Sequence, residues 1–294
     1  MTLLQQLIDA IALGALYGLV ALGIGLVFGI MRLINFAYGE LITAGGYTLA
    51  ILSGQPAAVA ILACVAVVVA LSLVMERVAF RPLRGASPAT MLVATFAISF
   101  LLQNVYLLKF GSRGRTVGTL GGLNGAISVG SLDIRWISIV ALVVGAALLA
   151  ATTLLLSRTT IGLQMRAAAA DFRTARLLGV RANRVISFSF LVSGVLAAAV
   201  SVLLTVQDPL VTPDYGVSIT IFALIGVVVG GLDRLSSAAL GGFAIGFANS
   251  FVGARLPTSS SVYLPSVIYG LVILVLVLRP AGLFAPRRRA VERV

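Results

Sequence analysis

Few side chains in this chain can do chemistry, and those that can are set within apolar sequence. Glu40 is the one carboxylate that the hydropathy pattern draws toward a membrane, with Asn35 just before it. Gln103 and Asn104 lie in one later apolar run and Asn249 in another. Polar groups at such depth need partners, so each is expected to face the interior, where it either hydrogen-bonds between helices or touches a polar solute. Tyr38, Gly39 and Thr43 flank Glu40, and the sequence leaves open which of them share its face. The second concentration of chemistry is basic. Arg158, Arg166, Arg173, Arg176, Arg181 and Arg184 stand with a single acid, Asp171, in a segment that must face cytoplasmic water, so a soluble partner can grip it there.

Several reaction classes are excluded. No G-x-x-x-x-G-K-[ST] phosphate loop exists, because the only lysine, Lys109, follows Leu108. The absence of histidine removes the commonest metal ligand and proton shuttle. Cys64, the single cysteine, lies inside an apolar run and reads as a buried thiol. No nucleophile has a histidine base, and no two acids lie within a helical turn of each other inside the apolar runs. The chain is therefore expected to be no enzyme and to need no cofactor or metal. Ion coupling has only Glu40 to use, and there is no carbonyl filter motif or ring-forming charge series. Energy for moving a solute uphill must come from another subunit.

These residues must be positioned by membrane helices. Of 294 residues, 60% are hydrophobic and 10% charged, with a mean hydropathy of +1.12, which excludes an ordinary globular domain. The net charge of +12 does not point to nucleic acid, because the arginines are scattered at the ends of apolar runs, where they set topology. No basic residue precedes the first apolar run and no small-residue cleavage site follows it, so that run is expected to remain as a span. The expected fold is an all-α, polytopic transmembrane bundle in one domain, residues 1–294. Uncharged runs cover 10–31, 41–75, 85–108, 136–157, 185–207, 215–232, 235–254 and 256–278. The second is broken by Gly54, Gln55 and Pro56. This gives nine membrane elements, or eight if 36–53 is re-entrant. With the N-terminus outside, sixteen basic residues fall inside and five outside.

Gly14, Gly18, Gly25 and Gly29 share one face of the first helix, where a neighbour can approach closely. Gly226 with Gly230, and Gly242 with Gly246, repeat the spacing. From Thr160 to Val180 helix formers predominate, with Gly179 as the stop. Met165, Ala169, Phe172, Ala175 and Leu178 fall on one stripe, and Arg166, Arg173 and Arg176 lie off it. Such a helix can lie on membrane lipid headgroups or insert into a groove on a soluble ATPase.

The run Ile34-Asn35-Phe36-Ala37-Tyr38-Gly39-Glu40, with Leu26 to Met31 before it, resembles the signature of the branched-chain amino acid permease family, the inner-membrane subunits of ABC importers. Arg166 to Val180 followed by Asn183-Arg184-Val185-Ile186 resembles the family's cytoplasmic segment, and Arg279-Pro280-Ala281-Gly282-Leu283-Phe284 its C-terminal end. The resemblance implies a multi-pass bacterial inner-membrane permease for leucine, isoleucine and valine. Its implied partners are a second homologous permease, two cytoplasmic ATPases and an extracytoplasmic solute-binding protein. Coupling to the ATPase would fall on the segment of about 158–184, at Arg166, Ala167, Ala170, Asp171, Phe172, Arg173, Ala175, Arg176, Leu177 and Gly179. Asn35, Gly39 and Glu40 would lie near the pathway or its inner gate, which Tyr38, Thr43, Gln103, Asn104 and Asn249 are also candidates to line. The family's second glycine motif is altered by Asp233 and Arg234. Urea or short amides remain alternative cargo, and a self-sufficient facilitator or channel remains the alternative mechanism.

Overall fold

The computed structural model describes residues 3–118, 121–129, 132–231, 235–279 and 282–284; the altered glycine motif at 232–234 lies outside them. The helices run α1 (Leu3–Met31), α2 (Tyr38–Ile51), α3 (Ala57–Met75, prolonged by a π-helical turn at Glu76–Phe80), α4 (Pro88–Phe110) and α5 (Trp136–Arg158). They continue with α6 (Thr160–Ala170), α7 (Phe172–Leu177), α8 (Ala182–Gln207), α9 (Tyr215–Gly230), α10 (Leu235–Gly253) and α11 (Leu264–Leu278). Two small antiparallel pairings decorate the loops, β1 (Arg115–Thr116) with β4 (Leu210–Val211) and β2 (Ala126–Val129) with β3 (Leu132–Arg135).

Among the described residues, seven helices are long and apolar enough to cross a membrane: α1, α3 with its π turn, α4, α5, α8, α10, and α11 with the turn before it. By length this is fewer than the eight or nine expected. The difference lies in α2 and α9, of 14 and 16 residues. At 1.5 Å per residue they reach roughly 21 and 24 Å, short of a hydrocarbon core of about 30 Å. The turn expected at Gly54-Gln55-Pro56 does separate α2 from α3.

α1 runs through the middle of the bundle and packs on α10, α8, α5 and α9. Lipid tails are as apolar as leucine, so nothing hydrophobic drives these helices together once inserted, and close van der Waals packing must hold them. Small residues supply it. A Cβ added at Gly242 would lie 2.6 Å from the carbonyl oxygen of Tyr17, and one at Gly241 would lie 2.0 Å from that of Gly226. On the first helix the expected glycine face is found at Gly14, Gly18 and Gly25, which lie against Phe243, Ala239 and Ala238. Gly29 departs from it and faces open space. Serine hydroxyls add the polar ties: Ser72 donates to the carbonyl of Phe190 at 2.7 Å, Ser193 to Gly23 at 3.0 Å and Ser201 to Ile42 at 2.6 Å.

Candidate functional site

Between α1 and α2 the chain leaves helical geometry. Arg32 adopts φ +54°, in the left-handed region that non-glycine residues seldom enter. The Asn35 side chain then accepts a hydrogen bond from the Ala37 amide at 3.1 Å, turning the backbone into α2. A similar interruption precedes α9, where residues 208–214 lead into its first turn. The N-terminal turns of these two short helices meet. Gly39 lies against the backbone of Gly216, the Gly216 amide donates to Thr43 Oγ1 at 3.0 Å, and Thr43 Oγ1 donates to the Gly39 carbonyl at 3.2 Å. α2 ends at the turn that leads into α3, so the starts of α2 and α9 lie side by side, away from that turn.

Glu40 is fully buried beside this junction. Its Oε1 accepts from Ser99 Oγ and from Gln103 Nε2, each at 2.8 Å, and its carbonyl accepts from the Tyr106 hydroxyl at 2.9 Å. Its Oε2 has no hydrogen-bond partner among the described residues. The expectation that Glu40 and Gln103 face protein is met. Sequence reading missed Ser99 and Tyr106, although steps of four and three from Ser99 through Gln103 to Tyr106 put all of them on one face of α4. Above Gln103 a cleft of about 330 Å³ includes Asn104, Ser112, Thr212 and Asp214 in its walls. Asn104 itself is exposed on α4 and donates to its own helix, at the carbonyl of Phe100.

Two candidates lie apart from this group. Tyr38 is buried and its hydroxyl donates to the Ser193 carbonyl of α8 at 3.4 Å. Asn249 donates to the Tyr17 hydroxyl at 3.3 Å, on the α1–α10 contact, where Tyr17 also stacks on Phe222.

The single amphipathic helix expected over 160–180 is two helices. Asp171 is extended, at φ −148° and ψ 105°, and its carboxylate accepts from the Thr174 amide at 3.1 Å and hydroxyl at 2.5 Å. That is a helix N-cap, so Asp171 ends α6 and starts α7. The break redistributes the stripe: Met165, Ala168 and Ala175 are buried, whereas Leu178 is 80% exposed. Gly179 stops α7 as expected, with φ +88° and the paired bonds from Gly179 to Arg176 and Val180 to Ala175 that close a helix C-terminus. Arg166, Ala167, Ala170, Arg176 and Leu177 are exposed and Phe172 is half-buried; the Arg173 side chain lies outside the described residues.

Two ties join this segment to the bundle. Arg32 donates to the Ala169 carbonyl at 3.2 Å, linking the α1–α2 interruption to α6. Arg84 pairs with Glu76 and hydrogen-bonds Asn183, while Ser187 donates to the other Glu76 oxygen at 2.9 Å. Burial pulls the Arg84 guanidinium below its ordinary pKa, and Glu76 opposes that shift. Next to the pair a basic cleft of about 680 Å³ is lined by Arg84, Phe172, Arg176, Arg181 and Arg184.

Residues 6–277 match the family model described as branched-chain amino acid transport system / permease component. The high-affinity branched-chain amino acid transport system permease protein BraD of Pseudomonas aeruginosa is 34% identical, over 99% of this chain and 98% of its own. LivH of Salmonella typhimurium, with the same description, is 31% identical over 99% and 97%. Among solved structures, PsaBC from Streptococcus pneumoniae in complex with Fab has a similar fold, with a TM-score of 0.50 at 15% identity over 96% of this chain and 92% of that one. A match along nearly the whole length, and relatives above 30% identity, place this chain in the branched-chain amino acid transport permease family.

Proposed function

We propose that the chain is the membrane-spanning permease subunit of an ABC importer that brings leucine, isoleucine or valine into the bacterial cytoplasm across the inner membrane. It pairs with a second homologous permease, is driven by two cytoplasmic ATPases and receives its cargo from an extracytoplasmic binding protein. Seven full-length helices with α2 and α9 make nine membrane elements, and the N-terminus lies outside. The observation that carries the reading is the meeting of the starts of two short helices, α2 and α9, tied to the segment of 160–180 through Arg32 and Ala169. Short, interrupted helices of this kind mark solute pathways in transporters.

The pathway follows the face of α4 that carries Asn104. An exposed amide at that depth is unfavourable against lipid, so this face meets the second permease across a wet passage. The exposed side of α6 and α7 seats on the ATPase, with the arginine cleft taking its acidic side chains. ATP-driven closure moves α6 and α7, and Arg32 passes the motion to the start of α2.

Copurification tests the assembly. The tagged chain should bring down an ATPase and a second permease, and in liposomes it should be inert alone. Solute flux through the lone chain would assign it to the self-sufficient facilitators. Replacing Arg173 and Arg176 together by glutamate should preserve membrane insertion and cut ATP-dependent leucine uptake about tenfold or more, since like charges facing each other at an interface cost several kcal/mol. Uptake at the unmodified level would remove the segment from coupling. Glu40→Gln should keep the fold, because its amide oxygen can still accept from Ser99 and Gln103, and should lower uptake in the assembled importer. Unchanged uptake would take Glu40 out of the pathway.

A further inference from the structure

Two cavities between α1, α5 and α10, of about 510 and 360 Å³, share Leu22, Leu149, Thr153 and Ser236 in their walls. They form one continuous slot. One part of it is walled by Ala15, Gly18, Leu19, Gly145 and Ala146, small or apolar residues of α1 and α5. Leu142, Leu149 and Leu240 beside it are 44%, 37% and 47% exposed, so the slot opens sideways into the bilayer. Its other end reaches the cytoplasmic boundary between Arg32 and Arg166. Among the described residues, a Cβ added at Gly29 would meet no atom within 4 Å.

An apolar slot open to lipid, with two arginines in the walls of its other end, is complementary to a molecule with a hydrocarbon tail and an anionic head. Guanidinium binds phosphate with paired hydrogen bonds, and basic pockets between spans on the cytoplasmic side suit anionic headgroups. We propose that this slot holds one acidic glycerophospholipid of the inner leaflet, with an acyl chain between α1, α5 and α10 and its phosphate on Arg32 and Arg166. Arg32 already donates to Ala169, so a phosphate spanning Arg32 and Arg166 fastens the end of α1 to α6 and stiffens the path from the cytoplasmic segment to α2.

The test is lipid retention, measured by native mass spectrometry on the chain and on the assembled importer after delipidation and reloading with phosphatidylglycerol or phosphatidylcholine. Wild-type protein should retain phosphatidylglycerol in preference, with a larger rise in melting temperature. Arg166→Gln should reduce that retention about fivefold, the worth of one basic residue at an anionic surface. Gly29→Leu, whose side chain enters open space, should abolish it while leaving the melting temperature of delipidated protein unchanged. Equal retention of the two lipids, or undiminished phosphatidylglycerol in both variants, overturns the proposal. So does a slot that is lipid-free in the assembled importer because another subunit covers it.

Discussion

Replacing Gly216 by alanine is expected to abolish uptake and to lower the melting temperature of the purified protein. The added methyl carbon would lie 2.0 Å from the carbonyl oxygen of Gly39. Both sides of this contact are backbone, so no side chain can swing aside, and α2 and α9 must separate. Overpacking of this kind costs about 1–3 kcal/mol or more. Here it also breaks the bond from the Gly216 amide to Thr43. Gly39→Ala meets the same obstacle less severely, at 2.6 Å from the Gly216 oxygen and 2.8 Å from Thr220 Oγ1, and should rank second. Gly270→Ala in α11 separates the clash from the general preference of helices for alanine: a Cβ there meets nothing within 4 Å, so its melting temperature should hold or rise. A Gly216→Ala protein that melts and transports like the parent would mean that the two short helices do not touch.

The second large effect is expected at Glu76. Its two carboxylate oxygens serve Arg84 and Ser187, and the Arg84 side chain is only 19% exposed. Arg84 Nε already lacks a partner among the described residues. Glu76→Ala therefore leaves the Arg84 guanidinium with Asn183 and no counter-charge, at a cost of about 3 kcal/mol, the lower end of the range for breaking a buried pair. Replacing both residues by leucine should restore most of the loss, because a buried ion pair contributes little over a well-packed apolar one. Thermal unfolding in detergent measures both. Equal losses in the single and double variants would contradict the ion-pair account and leave only the packing of Glu76 between α3 and α8.

Features set by short stretches of sequence were legible before the fold was known. Gly54-Gln55-Pro56 divides the second apolar run, Gly179 ends the cytoplasmic helix with a positive φ, and Gly14, Gly18 and Gly25 take a neighbouring helix closely. Glu40 was identifiable as needing protein around it because an isolated carboxylate in lipid is costly. What escaped depends on atoms distant in the chain. The docking of α2 on α9 joins residues 39 and 216, which no local periodicity relates. Asp171 looked like one charge within a helix-forming run, and only its bond back from Thr174 makes it a boundary. The Glu76 network joins the end of α3 to the start of α8, so the sequence showed Arg84 merely as one of the basic residues that set topology.

The contact between Gly39 and Gly216 also constrains how such a protein can diversify. Because main chain meets main chain there, the position offers no side chain for selection to exchange, and every larger residue wedges the two helices apart. A relative that carries a side chain at either position is therefore expected to hold these two helices farther apart than they stand here.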